Sequence, residues 1–127
     1  VSRLFLIAGS LSAALSVALG AAGMHVFREM LAENGQAGWF PVALQYHQFH
    51  SLALIAVGLL LHRASSNRWL MVSAGLFLCG LLLFCLNLYF RAIVGWHQMR
   101  ALVPFGGMAF IVGWLCLAVG AYRLNKP

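Results

Sequence analysis

The chain has 127 residues, 63% of them hydrophobic and 8% charged, with eight Lys or Arg against two Asp or Glu and a formal net charge of +6. An ordinary soluble domain is about one-quarter charged, and a fold of this size exposes too much of its surface to hide so much apolar material from water. Lipid must solvate most of it, and nucleic acid is excluded as a partner because the cations come singly, with no stripe or run among them.

Crossing the hydrocarbon takes about 20 apolar residues as helix. The first candidate, 4–22, contains no charge. Arg3, the apolar run and the small residues from Gly20 to Gly23 also resemble a signal peptide, but the run is long for such a segment, and the expectation is a span. Next, Val26, Phe27, Met30 and Leu31 recur at helical spacing, with Arg28, Glu29 and Glu33 on other faces and Asn34-Gly35 as a stop signal. This predicts a short amphipathic helix on the membrane surface. Further spans are expected over 41–61, 69–90 and 102–122. All four runs are continuously apolar, without the alternation of barrel strands, so the expected fold is an all-α membrane protein: a single domain, a four-transmembrane-helix bundle with a surface helix between helices 1 and 2.

Orientation follows from the cations. Four spans put Arg3, Arg63, Arg68, Arg123 and Lys126 on one side and Arg28, Arg91 and Arg100 on the other, five against three. Both termini are therefore expected in the cytoplasm. Trp39, Tyr46, Tyr89 and Trp96 mark the outer edges of the spans, and Trp69 and Tyr122 the inner ones. Cys79, Cys85 and Cys116 all lie inside apolar runs without metal-ligand spacing, and no disulfide is expected.

In lipid, helices associate through close packing and polar contacts. Gly9, Ala13, Ser16, Gly20 and Gly23 recur at alternating spacings of four and three, and Gly106, Ala109, Gly113, Cys116 and Gly120 at three and four. Each is a seam of small residues on a near-heptad repeat. Spans one and four are expected to pack against each other along these seams.

The polar residues crowd into the outer half. His25, Tyr46, His50, Asn87 and Tyr89 fall at one level, and as polar groups in lipid they are expected to face one another as an interhelical cluster. Three readings stay open. The cluster ties helices together by hydrogen bonds; or His47 and His50, one turn apart, join His25 in a metal or haem site; or the same residues form a quinone or lipid-headgroup pocket. There is no Asp, and both Glu residues lie in the surface segment. That argues against a buried carboxylate relay and a proton-coupled transporter. Phosphate-loop, nucleophile-elbow and zinc-protease motifs are missing, and no enzyme activity or cofactor is expected.

Four stretches resemble one family, catalogued as a domain of unknown function (number 423): small four-helix membrane proteins that include uncharacterised bacterial inner-membrane proteins and a mitochondrial-type animal relative. Gly20-Ala21-Ala22-Gly23-Met24-His25 resembles its Gly-Ala-Phe-Gly-Ala-His stretch, and Tyr46-His47-Gln48-Phe49-His50-Ser51-Leu52 is similar to its Tyr-Gln-Met-Phe-His-Ala-Leu stretch. Phe84-Cys85-Leu86-Asn87-Leu88-Tyr89 resembles Phe-Ser-Gly-Ser-Leu-Tyr, and the segment from Pro104 to Phe110, followed by Gly113-Trp114, matches most closely. Two departures stand out: Cys85-Leu86-Asn87 replaces a small Ser-Gly-Ser core, and His47 replaces a Gln. The resemblance implies the four-helix fold and brings no activity or cofactor. The functional expectation is an accessory or structural subunit of a larger bacterial inner-membrane complex, or a homo-oligomer, whose partners are lipids and other membrane chains or its own copies. The alternative is a metal-, haem- or quinone-associated protein using the His/Tyr cluster.

Overall fold

A computed structural model describes residues 1–124; Lys126, counted above among the inner-side cations, lies outside them. Four helical stretches are long and apolar enough to cross a membrane: Ser2–Met24, Trp39–Arg63, Arg68–Val94 and Arg100–Tyr122, here spans one to four. The protein is an all-α membrane protein. Each helix overruns its predicted segment, because winding continues through the polar flanks. Pro41 sits inside the first turn of span two, where a missing N–H breaks no helical bond.

Span one is a single helix, α1 (Ser2–Met24), and α2 (Arg28–Glu33) is the short helix that follows it. Helix α2 buries Leu31 and half-buries the adjoining Phe27, while Val26 and Met30 face outward with Arg28, Glu29 and Glu33. Span two is α3 (Trp39–Arg63). Span three runs through α4 (Arg68–Gly80), a π-helical turn (Leu81–Leu86) and α5 (Asn87–Val94). A 3₁₀ turn (Arg100–Leu102) leads into α6 (Val103–Tyr122), which completes span four.

Two asparagines from the loops pin span three at its ends. The Asn67 Oδ1 accepts from the Trp69 and Leu70 amides at 3.1 and 3.4 Å, while its Nδ2 donates to the Gly120 carbonyl of span four at 2.9 Å. At the other end, Asn34 Nδ2 donates to the Ala92 and Ile93 carbonyls at 3.2 and 2.6 Å. These are the helix-terminal groups that lack intrahelical partners. Gly95 (φ +72°) then ends the helix in the left-handed conformation that favours glycine.

Packing follows chain order: span one lies on span two, span two on span three, and span three on span four. The expected pairing of spans one and four is therefore incorrect. Both seams turn inward, each onto its neighbour in sequence. A Cβ on Gly9 would come within 2.7 Å of Ile55 and 3.1 Å of the Ser51 carbonyl, and reciprocally a Cβ on Gly58 of span two would meet the Leu6 amide nitrogen at 3.1 Å. Gly20 faces Leu44 and Gly23 faces Phe40. Ser16 is buried, with its hydroxyl donating to the Ala13 carbonyl at 2.7 Å. On span four, Cβ atoms on Gly106, Gly113 and Gly120 would collide with Phe84, Phe77 and Leu70 of span three at 2.6–2.8 Å, and Ala109 and Cys116 are buried between them. The physical reason is connectivity: short loops set consecutive antiparallel helices side by side. A small-residue repeat marks a close contact without encoding the partner.

Where Cys85-Leu86-Asn87 departs from the family's small residues, close approach is retained from the opposite side. Gly106 lets span four touch the backbone of Leu83 and Phe84. Spans two and three hold the fully buried Leu54, Val57, Leu61, Leu70, Phe77 and Leu88. Span one buries only Gly9 and Ser16. All three cysteines are free thiols.

Candidate functional site

Polar side chains in the N-terminal half of span two divide between two sides of the helix. His47, 6% exposed, points between spans one and three. Its Nδ1 lies 3.0 Å from the Tyr89 hydroxyl of span three, and its Nε2 3.0 Å from the Ser12 hydroxyl of span one. Ser12 Oγ is 2.6 Å from Ser51 Oγ, and Ser51 Oγ donates to the His47 carbonyl at 2.7 Å. The proton positions follow from this chain of contacts. A carbonyl only accepts, so Ser51 spends its hydrogen there and accepts from Ser12. Ser12 in turn accepts from His47, which therefore carries a proton on Nε2, with its Nδ1 paired to the Tyr89 hydroxyl. A single ordered relay thus joins spans one, two and three.

His50, one turn on and 3% exposed, faces span four. Its Nδ1 donates to the Tyr46 carbonyl at 2.8 Å, and its Nε2 accepts from the Trp114 indole N–H at 3.1 Å. Those partners fix a neutral ring with its proton on Nδ1, whereas His47 is protonated on Nε2. The ring stacks on Phe110 with centroids 3.5 Å apart and planes 14° from parallel. Tyr46 continues the aromatic layer against Phe84 and Phe110, with centroids 4.8 and 6.1 Å away.

Above this layer a cleft of about 440 Å³ opens sideways between spans two and four, lined by Gln45, Tyr46, Phe49, His50, Phe84 and Phe110, with Gly107, Ile111 and Trp114 on the span-four wall. Gly107 differs from its neighbour Gly106. A Cβ there would sit 3.8 Å from Phe84, in ordinary contact, so helix packing does not require glycine at this position.

Of the predicted cluster, Tyr46 and His50 lie in this layer and Tyr89 joins His47. His25 and Asn87 do not take part. His25 is exposed at the end of span one, and Asn87 turns to the loop between spans three and four, donating to the Met99 carbonyl at 2.7 Å. The metal candidates His25, His47 and His50 do not converge. His47 and His50 face different spans and have both ring nitrogens occupied. Among the described residues no group of three His, Cys, Asp or Glu could hold a metal ion. Sequence reading missed Ser12 as a bridging group. A serine inside an apolar run satisfies its own backbone as readily as a neighbour, and nothing in the pattern distinguishes the two.

The family model described as a protein of unknown function (DUF423) matches residues 19–107, a stretch holding most of this polar layer. The chain belongs to the DUF423 family. Among its relatives, the UPF0382 inner membrane protein YgdD of Escherichia coli (strain K12) is 34% identical over 125 residues, covering 98% of this chain and 94% of the relative. The UPF0382 membrane protein YwdK of Bacillus subtilis (strain 168) is 31% identical over 121 residues, covering 95% and 98%. No solved structure matches this DUF423 chain.

Proposed function

We propose that this DUF423 protein is a non-catalytic subunit of an inner-membrane assembly, formed with its own copies or with another membrane chain through the lipid-facing side of span two. One observation carries the reading. Gln48 is exposed, and its amide has no hydrogen-bond partner among the described residues. It lies nine residues into span two, roughly 14 Å along the helix, where no water is at hand to satisfy it. An amide in that position gains most from a second helix, and amide side chains are recurrent glue between membrane helices. The names of the relatives support the inner membrane as its location, and the five-against-three cation count supports cytoplasmic termini.

The test is the mass of the protein purified in mild detergent, with co-eluting chains identified by mass spectrometry. The expected result is an oligomer or a stoichiometric complex that Gln48→Leu dissociates without unfolding the bundle. A wild-type protein that runs alone as a monomer, or a Gln48→Leu variant that keeps its assembly, would overturn the proposal.

A further inference from the structure

The cleft between spans two and four has features that bundle packing does not explain, and they stand apart from the assembly reading. The pair Gly106-Gly107 separates two roles. Gly106 is required by contact with the span-three backbone, whereas Gly107 has room for a side chain and leaves its space to the cleft. The cleft base is held rigid, with His50 bonded at both nitrogens and stacked on Phe110. Its walls are flat aromatic rings. Within the lining, the Gln45 amide and the Tyr46 hydroxyl have no hydrogen-bond partner among the described residues. They lie six and seven residues into span two, roughly 9–10 Å along the helix, and polar groups left unpaired at that depth are costly.

We infer that this cleft binds a membrane-dissolved quinone, a flat carbonyl-bearing ring with an apolar tail. The volume of about 440 Å³ falls in the range of small-molecule sites, which combine apolar walls with a few placed polar groups. A ring inserted beside Phe84 and Phe110 gains aromatic contact, and its carbonyl accepts from the Tyr46 hydroxyl or the Gln45 amide. A saturated acyl chain would fill the same space and leave both polar groups unpaired, so the lining favours the quinone. The tail leaves through the open side, past the exposed Phe49 and Ile111. His50 holds the site in shape, since both its nitrogens are already bonded.

Trp114 lines the cleft and supplies the signal for the test. The full chain, with Trp39, Trp69 and Trp96 changed to Phe, is placed in phosphatidylcholine nanodiscs and titrated with a decyl-substituted benzoquinone while tryptophan quenching is followed. The expected result is saturable quenching, with half-saturation raised at least tenfold by Gly107→Leu and severalfold by Tyr46→Phe, at an unchanged unfolding temperature. Should Gly107→Leu fail to fold, Ile111→Phe narrows the same mouth from an exposed position and takes its place. Quenching that rises linearly with quinone, or that saturates alike in the wild type and in either variant, would overturn the inference. So would wild-type quenching abolished by a modest change in phospholipid chain length, which would assign the cleft to acyl chains.

Discussion

His47 and His50 stand one turn apart on the same helix, yet their partners place donor protons on opposite ring nitrogens, Nε2 of His47 and Nδ1 of His50, and direct the rings to different neighbours. The difference comes from the acceptors around each ring: a backbone carbonyl claims the proton of His50, and a serine relay claims that of His47. Replacing His47 by Ala strands the Tyr89 hydroxyl and breaks the Ser12–Ser51 chain, and it should cost about 1–3 kcal/mol of bundle stability. Tyr89→Phe alone should cost about 1 kcal/mol, and unfolding in detergent across the double-mutant cycle should return a coupling of about 0.5–1.5 kcal/mol. Ser73 gives the converse case. It is fully buried, and its hydroxyl has no hydrogen-bond partner among the described residues, so Ser73→Ala should stabilise the protein by about 1 kcal/mol on the same measurement. The sequence put both histidines in one half of span two. It did not reveal their directions, because residues three apart lie on neighbouring faces and the boundary between spans three and four falls between them.

The glycines set the geometry of whole helices, and they do not all do so for the same reason. Gly106→Ala would drive a methyl group into the Phe84 backbone, and repacking should cost about 1–3 kcal/mol. Gly107→Ala should be neutral or slightly stabilising, since the space exists and alanine favours helix. Parallel thermal melts of the two variants make the comparison, and equal losses would show that the contact is wrongly placed. The repeat of small residues was legible as a packing surface. Its partner was not, because lipid-facing and helix-facing apolar residues look alike in a membrane span. The π-helical turn was equally hidden: Leu81 to Leu86 is one apolar run, and nothing in it marks a change of winding. Span three packs on span two both before and after the turn, with Phe77 against His50 and Tyr89 bonded to His47.

At the scale of the whole molecule, the four crossings were readable because charge is absent from 4–22, 41–61, 69–90 and 102–122, and the direction in which they cross rests on the charge left between those segments. Arg28, Arg91 and Arg100 fall on one side against five cations on the side of the termini, so the bias is small and individual residues should matter. Ser66 lies in the exposed turn between spans two and three, and His97 in the exposed loop between spans three and four. With Cys79, Cys85 and Cys116 removed, a single cysteine at His97 should react with an impermeant maleimide in intact spheroplasts, and one at Ser66 only after permeabilisation. The reverse pattern would invert the topology. Changing Arg63 and Arg68 together to Gln leaves three cations on each side, and since orientation follows Lys and Arg near the span ends, both cysteine positions should then label partially in intact spheroplasts. Unchanged one-sided labelling in that variant would mean that orientation is fixed elsewhere, with Arg28 and the surface helix α2 next to be tested.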